Sequence, residues 1–240
     1  PRARVTRPVA RQAARAERSG GRGAGRLPGA GVVYDVRVID NDLDLGPYRR
    51  ELHARGRTQI RDFLQADAAE RLHACLRDEV PWHVAERNRP NRPAPAAFDA
   101  PDPALEEAHA RARAEGFHFA YDRYLMVEAL KEGRDPDLLL HSVVPFFNGP
   151  QFLEFIRWFA SDPSLAMVGA QATRYRPGQF LRLHDDKHDD ERRRFAYVLN
   201  LSRDWEADWG GLLQFIDARG NVVDTFVPRF NSLSLFKVPF

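Results

Sequence analysis

The chain has 240 residues, a hydrophobic share of 43% and a net charge of +2, which suits one large globular domain or two small ones. No apolar run approaches the ~20 residues needed to cross a bilayer, and no apolar segment follows the basic start, which argues against a membrane span and a signal peptide. Residues 1–30 hold eight arginines and one glutamate, about +7, so the other 210 residues sum to 2 − 7 = −5; a mildly acidic folded part gives no electrostatic case for nucleic-acid binding.

Residues 1–31 are Arg, Ala, Gly and Pro with almost no large apolar side chain. Such a segment cannot offset its ordering entropy by burial, so it reads as a disordered tail. A nucleic-acid or membrane tether, a transit peptide and a plain solvated tail are the alternatives. The one cysteine, Cys75, can form no internal disulfide and points to a reducing, cytoplasmic setting. The start at Pro1 and the stop at Phe240, mid-strand, point to a chain cut from something longer.

Order is expected from about Val32, as one domain over 32–240 with a helical part at 32–165. "VVYDVRVI" (32–39) alternates like a strand. Residues 47–54 suit a short helix and "RTQIRDFL" (57–64) a strand. "QADAAERLHACLRDE" (65–79) has helical spacing, with Asp67 as its N-cap. Residues 82–86 read as a strand, and the four prolines of 88–102 as a loop. A helix over 103–115 ends at Gly116. The aromatic run "FHFAYDRYLM" (117–126) is core, as strand or helix. "GPQFLEFIRWFAS" (149–161) is an amphipathic helix with Phe152, Phe155, Ile156 and Phe159 on one face. From Ala166, six short β-forming segments follow, bounded by Pro, Gly, Asn or Asp, as in an antiparallel sandwich or barrel.

Within that β-rich part, "GQFLRLHDDKHDD" (178–190) concentrates two histidines and four aspartates. As a helix it would pair His184 with His188, the zinc spacing, but Pro177-Gly178 and the alternation of "QFLRL" favour a strand fraying after Lys187. On a strand, His184 and Asp186 share a face and Asp185 takes the other. His188, four positions from His184, lies about 13 Å along, too far to share an ion without a sharp turn. A third ligand should come from another strand, and two histidines with one carboxylate make the facial triad of non-haem iron sites.

The surroundings sharpen this reading. Tyr175 with Gly178, His184 with Asp186, the strand from Arg194 to Asn200, Trp205, Gly210-Gly211 with Leu213, and Asn231 with Phe236 occur in this order. The run 175–239 resembles the prolyl-hydroxylase-like branch of the 2-oxoglutarate/Fe(II)-dependent oxygenases. Residues 55–165 resemble that branch more loosely. The resemblance implies an α+β fold, a double-stranded β-helix (jelly roll) with helices packed on one sheet, whose core here would be 166–240. It makes His184 and Asp186 two of three Fe(II) ligands. It has Tyr175 donate its hydroxyl to 2-oxoglutarate, Val198 and Leu213 line the pocket, and Gly210-Gly211 bend the backbone beside it.

The family's third ligand, a histidine, and its basic anchor for 2-oxoglutarate would both fall after Phe240. The 240-residue chain is therefore expected to be an incomplete, inactive site. The implied reaction takes Fe(II), 2-oxoglutarate and O2, with ascorbate as a reductant, and hydroxylates a prolyl residue in a protein or peptide. A small metabolite such as free proline, or a jelly-roll module that binds without catalysis, are the other readings. His188, Asp185, Asp189 and Asp190 read as solvated loop, His118 as a satisfied core or surface histidine, and Trp205 and Trp209 as sheet-edge packing. Neither His141 nor helix 149–161 has an evident catalytic role.

Overall fold

The computed structural model describes residues 39–40, 42–186 and 193–238. The basic tail, most of the strand expected at 32–39, and His188, Asp189 and Asp190 lie outside the described residues. Ile39 is described, and it bridges Leu64.

Helix α1 (Gly46–Arg55) carries Pro47 in its first turn and ends on Gly56 at φ 71°, whose N–H bonds Leu52 O. A left-handed residue there is what glycine supplies without steric cost. Strand β1 (Arg57–Ile60) is half the expected length. Asp62 at φ 51° turns the chain and sends Phe63 and Leu64 into the core rather than along a ladder. Helix α2 (Ala66–Asp78) has Gln65 at its N-cap with no side-chain cap bond. Asp67, expected to be the cap, instead sits inside the first turn, where its charge favours the helix dipole.

Strands β2 (His83–Glu86) and β3 (Arg92–Pro93), helix α3 (Ala104–Glu115), strand β4 (Phe119–Tyr124) and helix α4 (Met126–Glu132) follow. The short helix α5 (Val143–Phe147) leads into α6 (Pro150–Ala160). Each of the six expected C-terminal segments holds a strand: β5 (Ala172–Arg174), β6 (Phe180–Leu181), β7 (Phe195–Asn200), β8 (Leu213–Ile216), β9 (Val222–Phe226) and β10 (Ser232–Lys237).

The strands make three antiparallel ladders. One runs β1-β10-β7, one β3-β2-β4-β5 with β6 also on β4, and one is the β8-β9 hairpin. The first half of the chain, read as mainly helical, thus supplies β1 to the first ladder and β2, β3 and β4 to the second. On the first ladder the alternation is sharp. Phe195, Tyr197, Leu233 and Leu235 join a large apolar cluster with Leu52 of α1, Leu72 of α2, Phe147 of α5 and Phe152, Ile156 and Phe159 of α6. Four helices pack on this sheet, with Phe155 at the margin of the cluster, but contrary to the expectation of helices on one sheet, α3 packs Leu105, Ala108 and Ala112 on Ala120 and Phe180 of the second ladder. At the intervening positions Ser232 and Ser234 are fully buried, while Ala196 and Phe236 pack with Phe215 and Phe226 of the hairpin.

Asn231 ties β1 to β10. At φ 54°, its amide accepts from Leu64 N at 2.8 Å and donates to Leu64 O at 2.7 Å. The family-pattern asparagine therefore works here as a backbone bridge. Gly211 sits at φ 63°, where an added Cβ would stand 2.8 Å from the Trp205 indole. That indole donates Nε1–H to Gly210 O and meets the exposed Trp209 edge-on at 5.6 Å, so the two tryptophans pack around the glycine turn.

Candidate metal and co-substrate site

The segment carrying His184 is held by the β4–β6 pairing. Phe119 pairs with Leu181 and Ala120 with Phe180, and Arg182 N continues the ladder by donating to His118 O at 3.0 Å. Strand β6 then stops, earlier than expected, because β4 begins at Phe119 and offers no partner further on. Residues 184–186 are irregular, not helical.

Two local contacts orient His184. Its Nδ1 lies 2.8 Å from Arg182 O; that carbonyl can only accept, so Nδ1 carries the proton and Nε2 presents a lone pair. Its ring packs against Phe117 at 5.7 Å, which in turn lies under the Arg87 guanidinium. Nε2 faces Asp186 Oδ1 at 3.5 Å. That is long for a hydrogen bond and close to the ~3 Å between two donors that each sit ~2 Å from one ion at right angles. Asp186 is buried, while Asp185 is exposed. A hydrogen-bonded imidazole beside a carboxylate is a donor pair suited to a divalent transition metal. Among the described residues no group of three His, Cys, Asp or Glu could hold a metal ion.

Tyr175 directly follows β5, the strand beside β4. Its ring stacks on Tyr121 at 5.2 Å, Tyr121 meets Phe119 at 5.2 Å, and Phe119 meets Phe117 at 6.0 Å. A row of rings therefore runs along one face of β4 from His184 to Tyr175. The Pro177-Gly178 turn between them has Gly178 at φ 82° and Gln179 N bonded to Arg176 O, a type II turn in which glycine supplies the positive φ.

Val198 and Leu213 fall into separate packing groups. Val198 lines a cavity of about 60 Å³ with Thr173, Met126 and Leu140, whereas Leu213 leans on the cluster of Ala196, Phe215, Phe226 and Phe236.

A network behind Tyr175 is one that sequence reasoning misses. Asp122 is fully buried. It accepts from Arg174 Nε and Nη2 (3.0 and 2.8 Å), from Arg176 Nε (3.0 Å) and from Gln179 Nε2 (2.6 Å). Arg176 also reaches Asp102, which pairs with Arg92 at 2.6 Å. The available signal is an aspartate between two tyrosines in "FAYDRY", where a strand core needs a buried partner, and arginines flanking Tyr175 in "RYR". Elsewhere, His118 is buried, its Nε2 3.2 Å from Glu86 and its Nδ1 3.6 Å from Glu115, so the expected core histidine is hydrogen-bonded at Nε2 but not at Nδ1. His141 is buried against the Tyr124 hydroxyl at 2.9 Å, and burial lowers its pKa. The Cys75 thiol is pushed up to about 11, chiefly by burial, which makes it a poor nucleophile at neutral pH.

Comparison with known proteins fits this arrangement. Residues 170–240 match the model of the 2OG-Fe(II) oxygenase superfamily, which implies Fe(II), 2-oxoglutarate and O2. More particularly, the chain is similar to mouse (Mus musculus) prolyl 3-hydroxylase OGFOD1, 26% identical over 142 residues, or 56% of this chain and 25% of that protein. The likeness to the prolyl-hydroxylase-like 2-oxoglutarate/Fe(II) oxygenases is thereby shown, although the chain spans only about a quarter of the length of that curated relative. No solved structure gave a significant match. Among the described residues no helix is long and apolar enough to cross a membrane.

Proposed function

We propose that the chain carries part of the active site of an Fe(II)- and 2-oxoglutarate-dependent dioxygenase that hydroxylates a prolyl residue in a protein, on a double-stranded β-helix. The observation that carries this reading is the juxtaposition of His184 Nε2 and Asp186 Oδ1 at 3.5 Å, with Nδ1 engaged by Arg182 O. These two side chains would hold the iron. When bound, iron and 2-oxoglutarate supply the oxidising power, turning O2 and 2-oxoglutarate into CO2, succinate and a hydroxylated product.

The chain's own residues supply placement. The Arg182 carbonyl keeps the proton of the neutral imidazole on Nδ1, so Nε2 is the nitrogen that would face the metal. The Phe117 ring, tilted 45° to the imidazole, packs against it. Tyr175, at the far end of the aromatic row, would offer its hydroxyl to a carboxylate of 2-oxoglutarate. The prolyl substrate is supported by the likeness to the mouse relative, a prolyl 3-hydroxylase.

The test is to incubate the intact protein with Fe(II), 2-oxoglutarate and a cell lysate, then measure succinate and search peptides and metabolites for a one-oxygen mass gain. Oxygen on peptidyl proline is expected. Oxygen on free proline or another metabolite would move the substrate to a small molecule, and 2-oxoglutarate binding without succinate would leave a non-catalytic module. His184→Ala and Asp186→Ala should each abolish succinate formation, while His188→Ala should retain most of it. The reverse pattern would overturn the ligand assignment.

A further inference from the structure

We infer that Asp122 is a positioning residue for 2-oxoglutarate, acting through Tyr175; this rests on the functional reading above. Adjacent residues of a strand point to opposite faces, and β4 uses both faces on the same target. Tyr121 stacks under the Tyr175 ring. Asp122, on the other side, takes both guanidinium groups that flank Tyr175, those of Arg174 and Arg176, and the amide of Gln179. Gln179 returns its carbonyl to Arg176 N at 2.8 Å and to Asp122 N at 3.3 Å. The backbone before Tyr175, the backbone after it and the turn leading toward His184 thus converge on one carboxylate.

The charges make this grip stiff. Arg174 and Arg176 are like charges held on the same oxygen, Asp122 Oδ2. The Arg176 side chain is 1% exposed, so no water can take over if the carboxylate charge is lost. Neutralising Asp122 leaves two cations repelling across the chain at Tyr175, with Asp102, 3.4 Å from Arg176, as a remaining counter-charge. Arg174, 19% exposed, has the freer route to solvent and would draw the strand with it. A displacement of about 1 Å in a substrate-positioning group can cost on the order of 100-fold, so even a fraction of that shift at the Tyr175 hydroxyl is measurable as co-substrate affinity.

The experiment is a double-mutant cycle on 2-oxoglutarate affinity, measured by anaerobic calorimetry on the intact Fe(II)-loaded protein. The variants are Asp122→Asn, Tyr175→Phe and the pair. Asp122→Asn is expected to weaken 2-oxoglutarate by roughly 10-fold when Tyr175 is present and by less than about 2-fold in the Tyr175→Phe background, because residues acting as one unit are non-additive. Additive losses would mean that Asp122 serves the fold alone, and equal affinity of Asp122→Asn and wild type would overturn the inference while leaving the functional reading in place. No 2-oxoglutarate binding by the wild type would sink that reading and this inference with it. Should Asp122→Asn fail to fold, Arg174→Gln removes only the partly exposed arm, and the same cycle with Tyr175→Phe decides.

Discussion

The β1-β10-β7 sheet and the β4-centred sheet solve the same burial problem with different materials. The first buries an apolar face under four helices: Phe195, Tyr197, Leu233 and Leu235 meet Phe147, Phe152 and Phe159. The second, beside its apolar contacts with α3 and α4, also buries ions: Asp122 and Asp102 with Arg174, Arg176 and Arg92. Apolar packing is non-directional and forgives a shift of a few tenths of an ångström. A buried, fully bonded carboxylate does not, because each bond it loses strands a charge. The ion-held sheet is the one that carries Tyr175 and, through β6, His184. The buried ion cluster of this molecule therefore sits behind the hydroxyl and the imidazole proposed above as co-substrate and metal contacts.

The comparison breaks most visibly at Asp122. Asp122→Leu should cost about 4–5 kcal/mol in urea unfolding, since it leaves Arg176 charged and dry. Adding Arg174→Met and Arg176→Met should recover much of that loss, because a buried ion cluster exchanged whole for apolar side chains is often neutral in stability. If the triple variant stays as unstable as the single one, the ions do more than compensate one another. Next in size, Phe159→Ala opens a cavity in the helix-covered core and should cost about 3–4 kcal/mol, with 2-oxoglutarate affinity unchanged in the folded fraction. Asn231→Ala should cost about 2–3 kcal/mol, the sum of two buried hydrogen bonds to Leu64 and an alanine forced to positive φ.

The two regions also differ in how far they are legible. Helix α6 can be read because its apolar residues recur at helical spacing, which is a local property, and the same holds for the six C-terminal strands and their bounding turns. His184 and Asp186 can be paired because two positions along an extended chain is again local. Partner choice is not local. Nothing in "FAYDRY" says that Asp122 meets Arg176, 54 residues on, nor does "RTQI" announce β10 as its neighbour. Asp67 is mistaken for a cap for a related reason. Its residue type suits the N-cap, but the helix begins one residue before it, at Ala66, and the type alone does not fix the register of the first turn.

The β8-β9 hairpin supplies the finest test, because it belongs to neither ladder and is joined to the β1-β10-β7 sheet by contacts of both kinds. Phe215 packs on Phe236 at 5.3 Å, and Asp224 accepts from Arg57 Nε at 2.7 Å. Burial alone would raise the Asp224 pKa, but the Arg57 and Thr225 hydrogen bonds outweigh it and hold the carboxyl below its usual range. A carboxyl depressed in the folded state contributes stability that is present above its unfolded pKa of about 4 and is lost as pH falls through the folded value. Asp224→Asn should therefore lower stability by about 1 kcal/mol at pH 7, and the gap from wild type should close as the buffer is taken below pH ~4. Thermal melts of both proteins across that window check it. A gap that stays constant down to the acid limit would mean that the hairpin is held by Phe215 and its ring neighbours alone, and that ionic anchoring is confined to the sheet behind Tyr175.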